Sequence, residues 1–176
     1  MLVRVVIILV GISAFSAVAQ QEATYSQYMN NGLAINPAYA GSHNALSATM
    51  LTRFQNVGLK GAPNTQTFSV HSPLLNSRIS LGILVVHDKL SVINQTGVHI
   101  SYAYRIPVNK KHNGSLSFGV QGGVAMYNAK YSELDVLDPD PAFAQNIRRS
   151  RPNIGGGIWY NTNNMYVGLS MPRFAV

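Results

Sequence analysis

Val98-His99-Ile100-Ser101-Tyr102-Ala103-Tyr104-Arg105-Ile106, followed by Ser115-Leu116-Ser117-Phe118-Gly119-Val120-Gln121-Gly122-Gly123-Val124-Ala125-Met126, is the stretch on which the fold turns. Val98, Ile100, Tyr102, Tyr104 and Ile106 alternate with His99, Ser101, Ala103 and Arg105. Leu116, Phe118, Val120, Val124 and Met126 alternate with Ser115, Ser117, Gly119, Gln121, Gly123 and Ala125. A period of two marks β-strands, because successive side chains leave opposite faces. Between the strands, Pro107 to Gly114 carries the Pro, Asn and Gly that turns need. The stretch predicts a hairpin with one apolar, aromatic face and one polar or small face. Each strand runs about ten residues, near the length that crosses a bilayer when tilted. Core or lipid against the apolar face decides the function, and periodicity alone leaves both open.

Working outward, 176 residues predict one domain. Charged residues are 11%, against roughly 25% in soluble domains. Hydrophobic residues are 47%, yet past the N-terminus no apolar run approaches the roughly 18 residues of a membrane helix. A β-barrel has this composition, because alternation dilutes its lipid-facing residues. A soluble β-sandwich has it too.

Residues 1–19 read as a signal peptide. Arg4 supplies the positive charge, Val5 to Val10 begin the apolar segment, and Ala17-Val18-Ala19 gives the small-x-small cleavage site. The mature chain is then expected to start at Gln20. With no cysteine there is no lipoprotein anchor, disulfide or thiolate metal site. The net charge of +7 becomes +6 without Arg4, from 12 basic minus 6 acidic residues. Nucleic acid does not fit an exported chain. Lys110-Lys111-His112 and Arg148-Arg149-Ser150-Arg151 are the basic clusters, and both are predicted to lie in loops. Such loops are either solvated or in contact with acidic sugars, lipid headgroups or a partner.

Residues 20–41 are not strand-like and are expected to form a periplasmic or lumenal segment. Thr24 to Met29 starts a short helix, Asn30-Asn31-Gly32 ends it, and Asn36-Pro37 forces an extended or turn conformation. Residues 42–176 form the barrel portion. Its other strands are expected at 45–53, 65–72, 79–86, 154–160 and 165–171. In the third, Leu84 and Val86 share the minor face with Ser80 and Gly82, so the alternation is least clean there. The connections 54–64, 88–92 and 128–153 are on the whole longer than 73–78, 107–114 and 161–164. Outer-membrane barrels show this parity, with short periplasmic turns and long external loops. Tyr104, Tyr127, Trp159, Tyr160 and Tyr166 sit near strand ends, where interfacial girdles or a soluble core would both place them. Glycines 119, 123, 155, 157 and 168 on the minor face allow coiling and a crowded lumen.

Two stretches go beyond pattern. One is Tyr25-Ser26-Gln27-Tyr28-Met29-Asn30-Asn31 with Asn36-Pro37-Ala38-Tyr39-Ala40-Gly41. The other is Thr52-Arg53-Phe54-Gln55-Asn56-Val57-Gly58 with Gly61-Ala62-Pro63-Asn64-Thr65. Together they resemble the N-terminal signature of the PorP/SprF family of the Bacteroidetes type IX secretion system. Asp140-Pro141-Ala142-Phe143 and the ending from Pro152 to Pro172 also fit that family. The family-motif residues are Tyr25, Gln27, Tyr28, Asn36, Pro37, Ala38, Gly41, Arg53, Gln55, Gly61, Ala62, Pro63 and Thr65. Asn56 departs from the pattern, standing where the family usually has tryptophan. The chain resembles the N-terminal half of a member.

The resemblance implies an outer-membrane β-barrel, of which about seven antiparallel up-and-down strands are present. It implies a non-enzymatic role in export or surface attachment of large adhesins, including gliding motility. Implied partners are outer-membrane lipid, subunits of the secretion machinery and substrates with a C-terminal sorting domain. No cofactor is implied.

The residues themselves offer little catalytic chemistry. His43, His71, His87, His99 and His112 lie on separate elements without HExxH spacing. Asp135, Asp138 and Asp140, with Glu133, cluster in the longest loop but lack EF-hand spacing. There is no GxSxG elbow. A general outer-membrane pore and a soluble secreted adhesive β-protein remain the alternative readings.

Overall fold

A computed structural model describes residues 30–74, 78–109, 114–133 and 145–174. A one-turn helix, α1 (Gly32–Ile35), and a 3-10 turn (Pro37–Tyr39) precede seven strands. These are β1 (Ser47–Phe54), β2 (Asn64–Pro73), β3 (Ile79–Leu90), β4 (Ile93–Asn109), β5 (Gly114–Ala129), β6 (Ile147–Asn161) and β7 (Tyr166–Met171). They form one antiparallel sheet in chain order, curled into a half-barrel. Among the described residues no helix is long and apolar enough to cross a membrane, which says nothing against crossing by strands.

The register sorts the side chains. Met50, Phe68, Val85, Val98, Val124 and Pro152 are successive neighbours on the outer face. Below them run Ser72, Leu81, Tyr102, Val120 and Gly156, the last beside Met171. Most large residues of this face are exposed: Ile100 is 59% and Leu169 75% accessible. The buried apolar cluster lies on the other face, where Leu84, Val86 and Ala103 meet Leu33 and Ala40. The sheet thus buries its thin, small-residue side and presents its fat side outward, the inverse of a soluble sandwich.

Several expectations change. β4 starts at Ile93 and β5 runs on to Ala129. The expected 88–92 loop shrinks to Ser91 and Val92, with Ser91 at φ 53°. Loop parity therefore fails at that hairpin. β4 also continues to Asn109, through a register shift between Pro107 and Asn109. Arg148 to Arg151 lie in β6, not in a loop. Only Tyr104 and Tyr160 of the expected girdle face outward. Trp159 and Tyr166 stack on the inner side with centroids 4.9 Å apart, and Tyr127 shares their face, beside Arg149. Asn31 stands immediately before α1. The helix expected over 24–29, the signal segment, Lys110 to His112 and the aspartates of 135–140 lie outside the described residues.

Candidate functional site

The segment from Asn31 to Asn44 crosses the inner face, and small residues make its seat. A Cβ on Gly82 would stand 3.0 Å from the Leu33 side chain. One on Gly119 would overlap the backbone of Pro37 and Ala38, and one on Gly157 would overlap the Asn36 amide. On Gly168 it would collide with Trp159 and reach Asn36 Nδ2 at 3.0 Å. The trough therefore runs through β3, β5, β6 and β7, with Ala103 in β4 beside it. Gly41 ends the crossing at φ 72°, a conformation that suits glycine, and its α-carbon faces the Ser80 hydroxyl.

Polar contacts fix the segment in place. Asn36 is extended ahead of Pro37, so its side chain is free to work on both sides. Its Oδ1 accepts from the Ala38 amide at 2.9 Å, and its Nδ2 donates to the carbonyls of Ile158 at 2.9 Å and Leu169 at 3.4 Å. Ser69 Oγ donates to Asn31 Oδ1 at 2.9 Å, and Ser170 Oγ to the Ile35 carbonyl at 2.7 Å. The Gly41 amide donates to His71 Nδ1 at 3.1 Å, which puts the imidazole proton on Nε2. Arg105 donates to the Gly41 carbonyl and, at 2.5 Å, to Asn44 Oδ1. Tyr39 stands edge-on to His43, His71 and Trp159, with centroids 5.4–5.7 Å apart.

A second set of contacts stitches the loop between β1 and β2. The Gln55 amide donates to the Pro63 carbonyl at 3.0 Å and closes the loop. With its side-chain amide turned so that the oxygen faces the guanidinium, Gln55 accepts from Arg53 Nε at 2.7 Å. The Ser91 amide donates to the Gly61 carbonyl at 2.9 Å, which ties the loop to the β3–β4 turn. Gly61 has φ 81°, and Asn56 has φ 51°. Asparagine is among the few residues that accept a left-handed backbone, so Asn56 suits its site. Thr65 Oγ1 donates to Asp88 Oδ1 at 2.6 Å.

Residues 17–175 match the family model described as type IX secretion system membrane protein PorP/SprF. The chain belongs to the PorP/SprF family. No curated protein and no solved structure matches it. PorP/SprF is a family of secretion-system membrane components and not a known enzyme family.

In this PorP/SprF chain the motif residues separate into two groups. Asn36, Pro37, Ala38 and Gly41 lie in the inner-face segment. Arg53, Gln55, Gly61, Ala62, Pro63 and Thr65 lie in or beside the stitched loop at the other end of the strands. Tyr25, Gln27 and Tyr28 lie outside the described residues. The sequence did not reveal the segment's partners: Ser69, Ser80, Leu84, Val86, Arg105 and Ser170. One signal was present, since Leu84 and Val86 make β3 apolar on both faces, as a strand covered on both sides should be.

The described histidines of this PorP/SprF chain do not converge on one centre. His71 and His99 both face inward and are buried, while His87 faces outward and bonds Thr96 Oγ1 at 2.9 Å. His43 comes within 5.6 Å of His71, centroid to centroid. No group of three or more His, Asp or Glu able to hold a metal occurs among the described residues.

Proposed function

We propose that the chain is a non-enzymatic outer-membrane component of type IX secretion, assisting export or surface attachment of large proteins. The single observation that carries this reading is the division of the two faces. One face is an exposed apolar sheet, and the other is a fitted seat occupied by residues 31–44. Water would not tolerate the first, and a freely conducting pore would not need the second. In this reading the outer face meets lipid and the segment plugs the lumen. The stitched loop from Phe54 to Asn64 stands at the external end, among machinery subunits and the substrate's C-terminal sorting domain. Residues 1–19 deliver the chain as a cleaved signal.

Fractionation and an export assay test it together. The chain is expected to stay with outer membranes through a carbonate wash, and to leave only with detergent. Its deletion is expected to hold adhesins in the periplasm, and a Gly157→Val chain is expected to restore export only in part. Release of the chain without detergent, or full export in its absence, refutes the proposal. The seated segment favours a silent bilayer recording over the steady conductance of a general pore.

A further inference from the structure

The two ends of the outward apolar band differ in chemistry. At one end the register sets Asn64, Lys89, Asn94, Asn128 and Arg148 side by side across β2 to β6. Parity puts all five on the outer face. Lys89 is four residues from Val85, and Arg148 is six from Ile154. Lys89 and Arg148 are exposed, and Asn94 and Asn128 are half-buried. The next row toward the band still offers donors, including His87. At the other end the same face closes with Tyr104, Phe118 and Tyr160.

We infer that the Asn64–Arg148 row is a binding ridge for a phosphorylated glycolipid of the outer leaflet. The inference rests on the outer-membrane reading above. A symmetric phospholipid bilayer would call for similar girdles at both ends, yet the tyrosines of this face lie at one end, and the ridge end carries Phe54, beside Asn64, followed by cations and amides. The ridge instead presents two cations and three amides, all able to donate to phosphate and sugar oxygens. Asp88 lies on the inner face, bonded to Thr65, so it does not neutralise Lys89 from beside it. From Lys89 to Arg148 is three strand spacings, roughly 14 Å. That separation fits a headgroup with phosphates at two ends better than a single phosphate. The ridge sits at the end that carries the β1–β2 loop and the β5–β6 connection. The longer connections of outer-membrane barrels are external. Acyl chains below the headgroup would lie on Phe68, Val85, Val98 and Val124.

Native mass spectrometry of the full chain, released from detergent after incubation with lipids, tests this. The probes are bisphosphorylated lipid A, its dephosphorylated form and phosphatidylglycerol. The wild-type chain is expected to retain bisphosphorylated lipid A about tenfold better than either other lipid. The Lys89→Gln/Arg148→Gln chain is expected to lose that preference, and Arg78→Gln, at the opposite end, to keep it. Equal retention by wild type and double variant overturns the inference, as does equal retention of the dephosphorylated lipid. Displacement of the lipid by inorganic phosphate overturns it too, since the ridge would then be a simple anion site. Heat-modifiable migration on a gel confirms that each variant is folded. If the wild-type chain washes off membranes without detergent, the outer-membrane reading itself fails. If it stays and the lipids do not discriminate, only the ridge fails.

Discussion

Gly119 is where the seating of the inner segment is most exposed to attack. A Cβ there overlaps the backbone of Pro37 and Ala38. Neither side yields easily. Gly119 is paired with Ala103 on one side and Gly157 on the other, so its strand cannot retreat alone. Overpacking a core costs about 1–3 kcal/mol. Full release of the segment costs more. Exposing Leu33 forfeits about 1.5–3 kcal/mol, and the hydrogen bonds through Asn36, Gly41, Asn31 and Ile35 contribute about 1 kcal/mol each, so the sum is about 6 kcal/mol. A methyl group is therefore accommodated by a shift, and a larger side chain drives the segment off. Gly119→Ala should lower stability by about 1–3 kcal/mol and leave the segment in place.

Gly119→Leu should free the segment. The assay is chymotrypsin cleavage after Leu33 and Tyr39 in detergent-folded protein. Each 1.4 kcal/mol of lost seating is tenfold in the open population, so a loss of about 3 kcal/mol raises cleavage more than a hundredfold. Gly122→Ala is the control, because nothing stands within 4 Å of its added methyl. Its cleavage should match wild type. If Gly119→Leu leaves Leu33 and Tyr39 as protected as before, the seat is not what holds the segment.

Asn36→Ala removes the donor to Ile158 and Leu169 and should destabilise by about 1–3 kcal/mol in thermal unfolding. Asn36→Asp should cost more than Asn36→Ala, because it aims a carboxylate at two carbonyls. Gly41→Ala suffers both a left-handed backbone and collision with Ser80. Adding Ser80→Gly should recover the collision and leave about 1 kcal/mol of backbone strain, which a double-mutant cycle in urea reads directly. Ile100→Lys, in the middle of the outer face, should cost about 2–4 kcal/mol on folding into lipid vesicles. In a water-facing sheet the same change would be harmless, so a neutral result counts against lipid on that face.

The hairpin from Val98 to Met126 was legible because its strands cross the band, where every second residue must be apolar. The strand ends were not legible, for the same physical reason. Asp88-Lys89-Leu90 and Arg148-Arg149-Ser150-Arg151 project past the band, so they keep their ladder hydrogen bonds and lose the alternation. They read as loops because a strand beyond the apolar band has no reason to alternate. The seat was half legible. Its glycines showed that the inner face was crowded, and Leu84 with Val86 showed that something covered it. Asn36 showed only that it preceded a proline. The carbonyls it holds are far along the chain, and local pattern cannot name a partner brought in by the fold.

The edges of the sheet impose a last constraint. β1 and β7 are both odd members of an antiparallel meander, so they run in the same direction. Joining β7 to β1, within one chain or through a second copy with the same membrane orientation, makes a parallel pair. Parallel pairing is slightly weaker per residue. A copy turned the other way up would pair antiparallel, but it would set its ridge of Lys89 and Arg148 beside the tyrosine end of its neighbour. Antiparallel closure therefore needs an odd number of additional strands between β7 and β1. The total is then even, as in bacterial single-chain barrels. Each backbone group left unpaired in hydrocarbon costs several kcal/mol. Residues 20–176 alone, folded in detergent, should accordingly associate or remain heterogeneous in size-exclusion chromatography with light scattering. An added polypeptide supplying an odd number of strands between β7 and β1 should convert them to one species. A monodisperse, heat-modifiable monomer of residues 20–176 would show that the β1 and β7 edges are satisfied by other means.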